Sequence, residues 1–124
     1  NSVAERRILW NDIASRSLFH SDPSIFLGDF NAVRFPEERS GGCFDWTLSM
    51  EECNYSIVNA NLDDLRCSGM CYYWRKGNSG VFRKLDRALV NHHWLSRFPA
   101  VVAEFLPFGL SDHTPIIVTI SASL

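Results

Sequence analysis

The chain has no apolar run approaching the roughly 20 residues that a membrane-crossing helix requires, so no membrane association is expected. It has no internal repeat and no low-complexity segment, and its composition carries neither a disordered nor a collagen-like bias. It has little net charge: 12 basic against 14 acidic side chains leave −2. That excludes a polybasic tail that would hold nucleic acid by charge alone. Asn1-Ser2-Val3-Ala4-Glu5-Arg6-Arg7 lacks the basic-then-apolar layout of a signal peptide and lacks an initiator Met, so an upstream segment is expected. Cysteines number four, at 43, 53, 67 and 71. With no secretory signal they are expected as free thiols, and Cys67-x3-Cys71 without a second pair is poor zinc spacing.

What is present is one domain's worth of globular sequence, 124 residues of which 46% are apolar and 21% charged. The charge is uneven. Residues 1–66 hold six basic and eleven acidic groups, whereas residues 67–124 hold six and three. Five of the later bases crowd together: Arg75, Lys76, Arg83, Lys84 and Arg87. With Tyr72, Tyr73 and Trp74 alongside, they form a candidate surface for stacking on and gripping a nucleic-acid strand.

Periodicity predicts a helix over 3–20, with Val3, Ile8, Trp10 (marginally), Ile13 and Leu18 at near-helical spacing. A second is predicted over 46–60, where Trp46, Met50, Cys53, Ile57 and Ala60 form one stripe and Ser49-x-x-Glu52 offers a capping box. Ile25-Phe26-Leu27 reads as a strand buried on both faces, followed by a polar loop over 36–42 with Glu37 and Glu38 solvated. Leu62 to Leu65 reads as leading into a turn at Gly69. Residues 71–90 read as a hairpin carrying the clustered bases, and Asn91 as the cap of a brief helix. Two strands near 101–106 and 114–120 close the chain. The order predicts an α/β (α+β) fold, a mixed sheet with helices on one face. Because Ile25-Phe26-Leu27 and Ile116-Ile117-Val118 are apolar on both sides, something must cover the second face. A patch of about 500 Å² left open would forfeit about 12 kcal/mol of burial, on the scale of a domain's net stability.

Chemistry-bearing residues gather at three strand ends. Asp29 and Asn31 follow Ile25-Phe26-Leu27, where a rigid strand fixes side chains that a loop leaves open; a carboxylate there takes a proton from water or binds a metal, and an amide holds an oxyanion. The plain alternative is a turn. Asp112-His113 precedes the last strand, a carboxylate for a hard cation and an imidazole for a phosphate, or a simple cap. Asp86 reads as mid-strand, where a carboxylate costs free energy unless paired, either with a histidine that it orients or with Arg87 or a nearby Lys. His92 and His93 read as surface or capping residues.

Taken together, "LGDFNAV", "LDDL", "KLDRALVN" and "FLPFGLSDHTPI" resemble the endonuclease/exonuclease/phosphatase superfamily (DNase I-like) from about Leu9 to Ile120. The wording is most similar to the endonuclease domain of plant LINE-type non-LTR retrotransposons. The resemblance implies that residues 1–124 are the C-terminal half of a four-layer α/β sandwich. It implies cleavage of phosphodiester bonds in DNA with Mg2+ or Mn2+. Asp29 is then the residue that activates or positions water and Asn31 its transition-state companion. Asp112 is a metal-associated carboxylate, His113 stabilises developing phosphate charge, and Asp86 orients that histidine. The family's Asn near the first strand, its principal metal-ligand Glu and its site tyrosine have no counterpart here. The resemblance therefore implies weak cation binding, little or no activity alone, and a complementing N-terminal half or self-association through the open sheet face. It also implies an intracellular, nuclear location. The alternatives are a non-catalytic nucleic-acid-binding or interaction module, and a phosphatase or exonuclease of the same superfamily.

Overall fold

The computed structural model describes residues 3–18, 21–30, 32–40, 46–69, 75–76, 82–83, 86–106 and 115–120. Helix α1 (Val3–Leu18) buries Trp10, Ile13 and Ser17, a narrower stripe than periodicity predicts; Ile8 is 70% exposed. Trp10 is central rather than marginal. It stacks on Phe30 at 5.6 Å between ring centroids, with the planes 8° apart. Ser17 Oγ donates to the Ala60 carbonyl at 2.7 Å, tying α1 to the end of the second helix.

Helix α2 (Leu48–Asn59) buries Met50, Cys53 and Ile57 as expected, and Ala60 follows them. Its N-cap is Thr47, whose hydroxyl accepts from the Met50 N–H at 3.2 Å. Ser49 is therefore inside the helix and caps nothing, while Glu52 reaches across to Arg7 of α1 at 3.2 Å. Trp46 lies before the helix, half exposed, edge-on to Phe35. Asn61, at φ 57°, takes the left-handed conformation that Asn tolerates and turns the chain into a strand.

That strand is β3 (Leu62–Asp64), where no strand was predicted, and the turn expected at Gly69 is instead the end of a further strand, β4 (Cys67–Gly69), with Gly69 at φ 75°. Three sheets of three strands form among the described residues. The first has order β1-β7-β3, in which β1 (Ile25–Asp29) and β3 both run antiparallel to β7 (Asp86–Asn91). The second is β2-β6-β5, from β2 (Arg39–Ser40), β6 (Phe82–Arg83) and β5 (Arg75–Lys76). The β5–β6 pair is the first part of the predicted basic hairpin, but the hairpin's expected second strand does not run on to Val90: Asp86–Asn91 form β7 of the first sheet, and Arg87 goes with it. The third is β4-β8-β9, where β4 lies parallel to β8 (Ala103–Phe105) and β9 (Ile116–Val118) antiparallel to it. Sheets plus helices make the α+β class that the sequence predicts.

Strand β7 organises the core, because its alternate side chains serve two clusters. Leu89 packs with Trp10, Ile13, Cys53, Ile57 and Leu62, under α1 and α2. Ala88 and Val90 pack the other way, with Trp94 of α3 (His92–Arg97) and with Ala103 and Phe105 of β8. The second face of the first sheet is thus covered in part by α3 and by the third sheet. Leu27, opposite Ala88, stays 50% exposed beyond that cover. As predicted, Asn91 caps α3, its Oδ1 accepting from the Trp94 N–H at 2.9 Å. Cys53 is a free, buried thiol, but Cys67 is disulfide-bonded, which corrects the free-thiol expectation for that residue.

Candidate active site

Pairing of β1 with β7 sets Asp29 directly opposite Asp86 at the end of the ladder, with Gly28 opposite Arg87 one step inward. Directly opposed residues in an antiparallel pair sit about 4.5–5.5 Å apart at Cα and share a face of the sheet. Asp86 is therefore the first residue of its strand rather than a mid-strand one, and both carboxylates are partly buried. Alternation puts them on the face of Leu27 and Ala88, away from α1 and α2. Gly28 holds φ +142°, a conformation that a side chain makes costly, so a glycine immediately before Asp29 is what the strand end needs.

On the opposite face Arg87 points into the protein and is fully buried. Its guanidinium is held by both oxygens of Glu38, and its Nη1 reaches Asp64 at 3.2 Å. Glu38 Oε1 also accepts from the Arg34 N–H at 2.8 Å. Arg34 in turn binds Asp64 at 3.0 Å and Asn54 of α2 at 2.8 Å. Burial works against the Arg87 charge, yet the Glu38 hydrogen bond and the Asp64 charge outweigh it, so this guanidinium holds its proton more tightly than an ordinary arginine. Two expectations are corrected here. Arg87 is not a nucleic-acid contact, because it is sealed in the interior, and Glu38 is not solvated, because it is the counter-charge that allows that burial. Arg87 is also committed away from Asp86, which removes it as the pairing partner considered for that carboxylate.

Cys53 lies beside this network. Burial pushes its thiol up to about 11, with Arg87 pulling the other way and Glu38 and Asp64 pushing further up. A raised thiol pKa stabilises the fold fully below the unfolded value and loses that contribution as pH climbs through the folded one. Urea denaturation is expected to show a stability loss between about pH 9 and 11, at up to about 1.4 kcal/mol per pH unit from this group. Cys53→Ala should flatten that part of the profile relative to the parent chain.

Asn31, Lys84, Asp112 and His113 lie outside the described residues. Arg75, Lys76 and Arg83 are placed by backbone alone, in β5 and β6. Arg39 of β2 and Arg75 of β5 are both register partners of Arg83, so three arginines occupy one rung across the second sheet. Arg39 was not among the predicted contacts. The pairing of β2 with β6 is what brings its register position beside Arg83.

The model of the Endonuclease/Exonuclease/phosphatase family matches residues 1–113. The chain belongs to this family. The matched span contains every candidate site residue, from Asp29 to His113. No curated protein matches the chain. For the divalent ion that the family generally uses, the Asp29–Asp86 pair offers hard oxygen donors of the right chemistry. Among the described residues, however, no three His, Cys, Asp or Glu side chains come together to hold an ion. Sequence reasoning missed the ion-paired cluster of Arg34, Glu38 and Asp64 around Arg87. A signal existed for Asp64 and Arg87: each sits two residues from a buried leucine in its strand, Leu62 and Leu89, and so on the core face.

Proposed function

We propose that the chain is part of a metal-dependent DNA endonuclease domain of LINE-retrotransposon type. The observation that carries the reading is Asp29 facing Asp86 at the open end of a strand pair in a member of this family. In it, Asp29 receives the proton of the attacking water, and Asn31 and His113 stabilise charge on the phosphate. Asp86 keeps that imidazole oriented, and Asp112 would hold the Mg2+ or Mn2+, which would supply Lewis-acid polarisation of the phosphate. With one carboxylate assigned to the ion, residues 1–124 by themselves hold it weakly and cut slowly at best. An N-terminal half, or a second copy, completes the pocket across the face on which Leu27 is exposed. Among the described residues no helix is long and apolar enough to cross a membrane, and a nuclear location belongs to the retrotransposon reading.

Plasmid nicking with Mg2+ or Mn2+ tests this. Trace cutting that disappears in Asp29→Ala and His113→Ala supports it. Cutting that survives both substitutions refutes the assigned site, and robust cutting lost in both refutes the weak-alone part. Salt-sensitive DNA binding without any cutting favours a non-catalytic module.

The arginine rung supports DNA as the partner, since basic residues brought to one register position of a sheet are the residue type that neutralises backbone phosphates. Neutralising one phosphate contact lowers the salt slope of binding by about one. Arg39→Ala is therefore expected to weaken binding to any DNA sequence and to flatten the salt dependence by about that amount, read by fluorescence anisotropy at several salt concentrations.

A further inference from the structure

Four charged side chains meet behind the candidate site: Arg34, Glu38, Asp64 and Arg87. They come from three places in the chain. Arg34 and Glu38 belong to the segment that follows the Asp29 motif, Asp64 to β3, and Arg87 to β7. Asn54 of α2 joins through Arg34. The charges balance, two of each sign, and Arg34, Glu38 and Arg87 are nearly or fully withdrawn from water. A balanced buried network is a weak source of stability compared with apolar packing of the same volume, so its presence calls for another account. Direction supplies one. The planar guanidinium of Arg87 takes both oxygens of Glu38, and such a fork admits one relative orientation of its partners.

We propose that this network is a positioning device for the Asp29–Asp86 pair. Arg87 adjoins Asp86 in the chain and faces Gly28, the residue before Asp29. Holding its head group therefore sets the height and roll of the ladder end from which both carboxylates project. Glu38 does the same for the segment leaving Asp29, because its Oε1 also accepts from the N–H groups of Arg34 and Phe35, at 2.8 and 3.4 Å. The two carboxylates are aimed from behind, through the sheet, by side chains that never reach the substrate. These four are positioning residues rather than catalytic ones.

The inference rests on the site reading above, and its test does not need cleavage, so failure of the nicking assay and failure of the positioning idea are separate results. The parent chain and the double variant Glu38→Gln/Arg87→Met, which keeps charge balance and the Oε1 acceptor, are compared by carbon-13 NMR of the aspartate side-chain carboxyls. Thermal melts are recorded in parallel. The exposed Asp12, paired with Arg16 on α1, serves as the internal reference. Positioning predicts a folded double variant in which the Asp29 and Asp86 signals broaden and move toward those of solvated aspartates while Asp12 stays in place. A folded variant with both signals sharp and unmoved overturns the proposal, since a purely structural network would change only the melt. Should the double variant not fold, Arg87→Lys, which keeps the charge and loses the fork, is read in the same way with the same two outcomes.

Discussion

Arg87→Met is expected to destabilise the chain by about 3–5 kcal/mol, enough to unfold much of a domain whose net stability is about 5–15 kcal/mol. The reason is the partner left behind. Glu38 is buried and gives both oxygens to Arg87, so removing the guanidinium strands a carboxylate in a place that water scarcely reaches. Asp64 suffers less, because Arg34 still binds it and its side chain is about one-third exposed. The paired variant Glu38→Gln/Arg87→Met removes one charge of each sign and should recover most of the loss, since replacing both members of a buried pair is often near neutral. Urea denaturation of the parent, the single and the double variant reads this directly. Equal losses in the single and the double would mean that packing of the arginine stem, and not the orphaned charge, dominates.

Asp29→Asn should bring any Mg2+- or Mn2+-supported nicking down to background while DNA binding stays within about twofold. Loss of a positioned general base typically costs about 10²–10⁴ in rate. The amide matches the carboxylate in shape, so the strand end and its pairing with Asp86 stay in place, but it no longer accepts a proton from water. Rate and binding must be measured separately, by nicking and by anisotropy. A variant that cuts as fast as the parent would remove Asp29 from the chemistry, and one that lost binding and cutting together would make it a contact for DNA.

Much of the local structure was legible in the residues. The spacing of Met50, Cys53, Ile57 and Ala60 is that of one helix face, and these are the side chains that α2 buries. Asn91 announced the start of α3, and the turn residues between Arg75 and Arg83 announced the hairpin. Such signals act within a few positions of the chain, where periodicity and capping operate. Elsewhere longer-range contacts overrode them. Leu62-Asp63-Asp64 has poor strand propensity, yet it pairs with β7, where Leu62 enters the core and Asp64 meets Arg34 and Arg87. Ile8 keeps helical spacing but faces solvent, since only the Trp10, Ile13 and Ser17 edge of α1 meets the sheet and α2.

The candidate site divides in the same way. From the residues alone came its membership: Asp29 after a strand, Asp86 in the LDR motif, and a match to the family model over 1–113. Only the tertiary structure decided that those two aspartates are cross-strand partners. It alone decided that Arg87, one of five clustered bases, turns inward to Glu38, 49 residues away in sequence, and that Arg39 joins Arg75 and Arg83 in one rung. The physical reason is that a charge carries no local mark of its fate. Whether it meets water, an opposite charge or a phosphate depends on which strands pair, and pairing is settled by burial across the whole core.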